Sequence, residues 1–163
     1  MRGEIIKKFL AFFLVLLVGI YFGVGWFAYG QAASVPCDVW YEEASNTPSN
    51  WSLGTKAEWN PSDYFIDGYE EVTILADSGE IELNSWWVEN DLSNPTIIFI
   101  HGLTSSKNSP DILLPMGILN KNDFNLLAID IRDHGKSTCE DGFYAAGQNE
   151  TDDVVVKVMM TTM

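Results

Sequence analysis

The chain has 163 residues, 47% of them hydrophobic, and a net charge of −14 at neutral pH. That length holds one domain, and that composition excludes wholesale disorder. Arg2, Lys7, Lys8 and Glu4 precede an uncharged apolar run, so the remainder sets six basic residues against 22 acidic ones, a net −16. Such a surface is repelled by nucleic acid and by anionic lipid headgroups, so DNA and RNA are excluded as partners. Solubility is sufficient reason for the acidity. The two cysteines, Cys37 and Cys139, are too few and too far apart for a metal-site pattern or a disulfide scaffold. They either pair, as an extracytoplasmic domain would allow, or remain thiols.

Phe9 to Tyr29 is 21 residues without a charge. At about 1.5 Å per residue a helix of that length crosses a hydrocarbon core of about 30 Å. Tyr21, Trp26, Phe27 and Tyr29 gather near its far end, where an aromatic belt would meet the interface. The basic flank predicts a cytoplasmic N-terminus and an extracytoplasmic remainder, with residues 9–29 in contact with the lipid bilayer. The competing reading is a cleaved signal peptide, with small residues near Ala32 and Ala33 as the cleavage site. The run is longer than the usual apolar region of about 7–15 residues in such peptides, which favours a retained anchor.

Ser34 to Asp67 is rich in Asn, Ser, Pro, Trp and acids and lacks periodicity. It contains two turn clusters, residues 46–50 and 60–63. It reads as a tether that packs onto the domain through Trp51, Trp59, Tyr64 and Phe65. Asn50-Trp51-Ser52 and Asn149-Glu150-Thr151 match the glycosylation sequon, a pattern short enough to arise by chance. Residues 70–76 and 81–88, separated by Asp77-Ser78-Gly79-Glu80, predict an antiparallel hairpin. A second turn over residues 90–95 leads into Thr96-Ile97-Ile98-Phe99-Ile100, whose unbroken apolar run predicts a strand buried on both faces of a parallel sheet.

That strand stops at His101-Gly102-Leu103-Thr104-Ser105. Ser109 followed by Pro110 predicts a helix start, and Ile112, Leu113, Met116 and Leu119 fall at helical spacing. Pro115 and Gly117 weaken that helix, and residues 120–123 end it. Residues 125–130 predict a second buried strand, ending at Asp130. Strand, helix and strand in this order make a right-handed parallel crossover. A further helix starts near Glu150 and carries Val154 and Val155.

Two motifs now stand at the ends of successive buried strands. They are His101-Gly102-Leu103-Thr104-Ser105-Ser106 and Asp130-Ile131-Arg132-Asp133-His134-Gly135-Lys136-Ser137. Together they resemble the α/β-hydrolase superfamily, in particular its serine-aminopeptidase-like and lysophospholipase-like branch, over roughly residues 69–153. The resemblance implies an α/β fold: the N-terminal half of an α/β-hydrolase sheet, preceded by one transmembrane helix. It divides the chain into a cytoplasmic flank and anchor (1–30), a tether (31–68) and a truncated hydrolase domain (69–163).

An acyl-transfer enzyme must hold backbone N–H groups where the oxyanion develops. In this superfamily one such donor comes from the loop after the third strand. By resemblance that donor is the N–H of Leu103, with Gly102 letting the backbone turn and substrate approach, and His101 orienting the loop. Asp130, Arg132, His134 and Gly135 are implied to brace the second loop. His101 and His134 both precede the expected nucleophile, whereas the superfamily orders its triad nucleophile, acid, histidine, so neither is the implied base. Ser105 and Ser106 read as polar loop residues.

No serine of this chain sits in G-x-S-x-G, so the sequence assigns no nucleophile, and it assigns no metal and no cofactor. The acid and base of the triad are missing too. Residues 156–163 do not resemble the amphipathic segment expected there, which suggests a truncation or a shifted reading frame near Lys157. In the superfamily the nucleophile strand lies beside residues 96–100. Without it the sequence predicts an open apolar edge, poor folding and no activity. Two functions follow: the amino-terminal fragment of a membrane-anchored serine hydrolase acting on an ester, thioester or peptide, or a non-enzymatic membrane-anchored binding module. The substrate is not legible.

Overall fold

A computed structural model of the chain describes residues 2–35, 37–38, 44–52, 60–76 and 79–154. It divides into two compact units, residues 1–34 and 35–163. The first is a single helix, α1 (Arg2–Ala33), with exposed apolar side chains from Ile5 to Tyr29. By length and composition it is long and apolar enough to cross a membrane.

The second unit is mixed α/β. Strands β1 (Glu70–Leu75) and β2 (Glu82–Val88) form the expected antiparallel hairpin, with Leu75 opposite Glu82. Gly79, at φ +73°, sits in the turn and bonds back to Ala76, while Asp77 and Ser78 lie outside the described residues. Strand β3 (Thr96–Ile100) is followed by α2 (Pro110–Asn120) and β4 (Asn125–Ile129). Strands β3 and β4 pair in parallel, Thr96 against Asn125 through Ile100 against Ile129. The sheet order is β1-β2-β4-β3, with β4 antiparallel to β2. A short final helix, α3, spans Glu150–Val154. Val155, expected on it, and Trp59 in the tether lie outside the described residues.

The two apolar strands differ in burial. β4 is enclosed, with Leu126 and Ala128 at 0% exposure. β3 is half-buried along its length, and Ile100 is exposed. The expectation of burial on both faces therefore fails for β3. The reason is its place in the sheet: β4 is its one strand partner among the described residues, so its other edge is open.

Alternation sorts the side chains onto two faces. Trp86, Val88, Leu126 and Ala128 pack with Ile112, Leu113 and Met116 of α2. Trp51 and Ile66 join this cluster, with Tyr64 and Phe65 against it, so the segment before the hairpin is part of the core. Ala76, Ile81, Leu83 and Ile129 form a smaller cluster on the opposite face, with Ile74, Ile98 and Leu127 against it. Helix α2 starts as the sequence predicts. Ser109 caps it by accepting from the Asp111 N–H, and Pro110 occupies the first turn. Gly117 serves packing: a Cβ there would lie 2.2 Å from the carbonyl oxygen of Tyr64, in the 3-10 helix Pro61–Tyr64. Asn125 ties the loop before β3 to the start of β4. Its side chain accepts from the Asn90 N–H and donates to the carbonyls of Asp91 and Asn94.

Candidate functional site

Because β3 and β4 are parallel, the loops that follow them emerge at the same end of the sheet. In open α/β sheets that end is where ligands bind. The first loop runs from His101 to Ser109. It consists of two consecutive turns, closed by Ser105 N–H to the Gly102 carbonyl (3.2 Å) and Ser109 N–H to the Ser106 carbonyl (3.1 Å). The left-handed residue of the first turn is Thr104, at φ +58°, and not Gly102. Gly102 has open space where a Cβ would stand. Leu103, the second residue of that turn, is 40% exposed, and its N–H has no acceptor among the described residues.

Two contacts fasten this loop to the next. At its front, the buried His101 ring accepts from the Ile131 N–H through Nε2 (3.3 Å) and donates from Nδ1 to the Gly102 carbonyl (2.9 Å). That pair of bonds selects the neutral tautomer protonated at Nδ1. Burial, the largest influence, holds the pKa of His101 below the ordinary value and keeps the ring uncharged. At its back, Lys107 is 1% exposed and grips Asp130 twice: its backbone N–H donates to Oδ1 (2.7 Å) and its ammonium to Oδ2. The ammonium also donates to the Asn84 side chain and lies 4.9 Å from the Trp86 ring centroid. Burial pulls the Lys107 pKa down, and Asp130 opposes that pull. Asn84 in turn donates to Glu71, whose carboxyl it holds below its usual pKa. Leu103 thus lies between two attachments to the second loop.

The second loop is braced from within. Asp130 is fully buried and accepts the Lys136 N–H as well (3.1 Å). Gly135, at φ +55°, leaves room for that carboxylate: a Cβ there would lie 2.1 Å from Asp130 Oδ2. Arg132 places Nε and Nη2 on the buried Asp153 and Nη1 on Glu140 (2.8 Å). The Asp153 hydrogen bonds raise its pKa further. His134 donates from Nδ1 to the Arg132 carbonyl (2.9 Å), and its ring lies 4.9 Å from that of His101. Its buried Nε2 has no partner among the described residues. Asp133, at φ +61°, accepts three backbone N–H groups, from Glu140, Asp141 and Gly142.

Cys37 and Cys139 form a disulfide across 102 residues, beside Asp133. This decides between the two fates the sequence left open for these cysteines. It also occupies the sulfur atoms of the one cluster of metal-ligating residue types among the described residues, Cys37, Asp133 and Cys139. Next to the disulfide, the Val35 N–H donates to the Gly142 carbonyl (2.9 Å).

All seven residues singled out in the sequence therefore lie in or beside these two loops. Sequence reasoning passed over Lys107, Asn84, Asp133 and Asp153. Lys107 had a usable signal: it is one of six cations in a strongly acidic stretch and stands six residues after His101. Asp153 had none, because nothing local marks it as the acceptor for Arg132.

No family model matches the chain. No curated protein matches it either. Among solved structures, the esterase Pf2001 of Pyrococcus furiosus in space group P21 matches 64% of this chain at 32% identity with a TM-score of 0.52. A second crystal form of that esterase, in space group P212121, matches 61% of the chain at 33% identity with a TM-score of 0.49. The chain spans 39% of the length of the esterase in the first comparison. This mixed α/β sheet is therefore similar, in both fold and sequence, to part of an esterase, and fits the α/β-hydrolase type.

Proposed function

We propose that the chain is the amino-terminal part of a membrane-anchored serine hydrolase of the serine-aminopeptidase-like and lysophospholipase-like branch, acting on an ester, thioester or peptide bond. The observation that carries this reading is Leu103, a 40% exposed residue whose N–H has no acceptor among the described residues, in a loop fastened at both ends beside a parallel strand terminus. A donor held rigid before the reaction is what an oxyanion needs, since no reorganisation is then required as charge develops. His101, Gly102, Asp130, Arg132, His134 and Gly135 serve that loop as supports, and both histidines are structural. Residues 9–29 anchor the protein in the bilayer with residues 1–30 as the anchoring unit, 31–68 as tether and 69–163 as the hydrolase portion. The N-terminus is cytoplasmic and the domain extracytoplasmic. The Cys37–Cys139 disulfide supports that orientation, because such bonds persist in oxidising compartments.

These 163 residues contain no nucleophile elbow, so in this reading they are inactive by themselves. A serine-directed fluorophosphonate should leave the purified chain unlabelled, and labelling would contradict this reading. Coding sequence beyond the Met163 codon tests the hydrolase reading: a frame encoding G-x-S-x-G, then an acid and a histidine, supports it. A stop codon with a stable, monomeric product favours the alternative, a non-enzymatic membrane-anchored binding module that uses the acidic, aromatic-rich tether or the open edge of β3.

A further inference from the structure

The Cys37–Cys139 disulfide has a neighbour that cross-linking alone does not require. The sulfurs of Cys37 and Cys139 and a carboxylate oxygen of Asp133 all lie within 4.8 Å of one another. Asp133 is 1% exposed, and its two oxygens differ. Oδ1 accepts the N–H groups of Glu140, Asp141 and Gly142, and the Cys37 sulfur lies 3.8 Å from it. Oδ2 is buried and has no partner among the described residues. A buried carboxylate oxygen left in that state is costly. The cations of this loop are engaged elsewhere: Arg132 is paired with Asp153 and Glu140, and Lys136 with Glu71. The site therefore holds two sulfurs and a buried acceptor that no positive group of the loop serves.

Two thiolates and a carboxylate are a ligand set for zinc. Zinc takes four ligands in a tetrahedron, with bonds of about 2.3 Å to sulfur and about 2.0–2.2 Å to carboxylate oxygen. Around one ion the two sulfurs stand about 3.8 Å apart by that geometry. Rotation about the two Cα–Cβ bonds supplies the spacing, since the Cα atoms are 5.4 Å apart. The backbone keeps the three positions together without the S–S bond. Val35 N–H donates to the Gly142 carbonyl, and the N–H groups of residues 140–142 donate to Asp133. Cys139 is exposed and Cys37 half-buried, so a reductant and an ion reach them from solvent.

We infer that the reduced chain binds one zinc ion through Cys37, Cys139 and Asp133, with water as the fourth ligand, so that residue 37 stays tied to residue 139 whether the disulfide is closed or open. A dithiol supplies the reduction. Its first thiolate attacks the exposed Cys139 sulfur, the S–S bond breaks, and Cys37 leaves as a thiolate. Its second thiolate then closes the reagent's own disulfide and releases Cys139. Two electrons and two protons have passed from the dithiol to the two cysteines. Zinc displaces one proton from each thiol as it binds. In an oxidising compartment the disulfide is the resting state, and the metal form belongs to the chain before oxidation or after reduction. Neither the hydrolase reading nor the anchor bears on this site.

The test is titration of the full chain in detergent micelles with Co²⁺, a spectroscopic stand-in for zinc, after reduction with dithiothreitol and its removal under argon. The reduced chain should take up one Co²⁺ per chain, with a thiolate-to-cobalt charge-transfer band and the intense visible absorption of a tetrahedral site. Added Zn²⁺ should bleach both. The oxidised chain should show neither. The double variant Cys37→Ser, Cys139→Ser should abolish the charge-transfer band. Asp133→Asn should weaken Co²⁺ binding by about tenfold or more, at least what loss of an outer-shell partner costs. If that variant does not fold, the carboxylate carbon signal of Asp133 in the parent chain should shift when Zn²⁺ is added to the reduced form. No charge-transfer band in the reduced chain, one ion shared by two chains, undiminished Co²⁺ binding in folded Asp133→Asn, or an Asp133 carboxylate signal that Zn²⁺ does not move overturns the proposal.

Discussion

The dipeptide His-Gly occurs twice in this chain, each time just beyond a strand of the same parallel pair, and the structure uses the two copies in opposite ways. At His134-Gly135 the glycine has positive φ and its missing side chain is filled by the Asp130 carboxylate. At His101-Gly102 the glycine has no left-handed φ and faces open space, and the left-handed strain falls on Thr104. The second loop is a packed support, with Asp130, Asp133 and Asp153 all buried and all accepting backbone N–H groups. The first loop is held towards its ends, at the front by His101 and at the back by Lys107 and by Asn108, which exchanges two hydrogen bonds with Asn46, and leaves the Leu103 N–H without an acceptor among the described residues between them. The same two residues can thus build a brace or an opening, and what decides between them is the neighbouring carboxylate.

The largest expected effect comes from removing that carboxylate. Asp130→Ala strands the buried Lys107 ammonium and frees the Lys107 and Lys136 N–H groups. Breaking a buried pair in this way costs about 3–5 kcal/mol. Urea unfolding of the chain in detergent micelles, followed through the buried Trp51 and Trp86, should show the loss. A loss below about 1 kcal/mol, the range of an exposed pair, would mean that Asp130 does not join the two loops.

Opening the disulfide comes next. The double variant Cys37→Ser, Cys139→Ser removes a cross-link spanning 102 residues. It should cost about 2–4 kcal/mol in the same measurement.

The two glycines sharpen the contrast directly. Gly135→Ala meets both a positive φ and the Asp130 carboxylate, and should cost about 1–3 kcal/mol. Gly102→Ala meets neither and should stay within about 0.5 kcal/mol. Equal costs at the two positions would erase the distinction between brace and opening.

The smallest effect is a pH dependence of the first loop. Burial keeps the pKa of His101 below its usual 6.5, so the unfolded chain takes up this proton before the native state does. Its contribution to stability is whole above pH 6.5 and is lost as the pH falls from there towards the folded pKa. His101→Gln should make the unfolding midpoint less sensitive to pH across that window. A slope identical to that of the parent chain would show that His101 is not the group responsible.

Much of this arrangement was legible in the sequence because its signals are local. The hairpin is marked by alternation around a turn cluster, α2 by Ser109 and Pro110, and the parallel pair by two apolar runs separated by one helix. The open edge of β3 was expected from the missing nucleophile strand, and β3 does stand at the edge of the described sheet. Its burial on both faces was misread because an apolar run reports the environment a strand suits, not the partners it finds. β3 and β4 read alike in sequence, yet one stands at an edge and the other between two neighbours. The candidate loops were found through their resemblance to a family, and the non-local partners within them were not. Lys107 and Asp130 are 23 residues apart, Arg132 and Asp153 are 21 apart, and Cys37 reaches its partner across 102. Pairings of this kind depend on the closed fold and carry no periodic signature.

The central claim is that the first loop presents the Leu103 N–H as an oxyanion donor, and Leu103→Pro tests it most directly. Proline has no N–H, and the second position of a turn suits its fixed φ, so the change removes the donor while the turn is kept. If coding sequence beyond Met163 supplies the nucleophile that the proposed function requires, the substitution would be made in that longer chain, with turnover of a p-nitrophenyl ester as the readout. Loss of one such donor should lower kcat by about 10²–10³ with little change in KM. An unchanged kcat in a folded variant would contradict the claim.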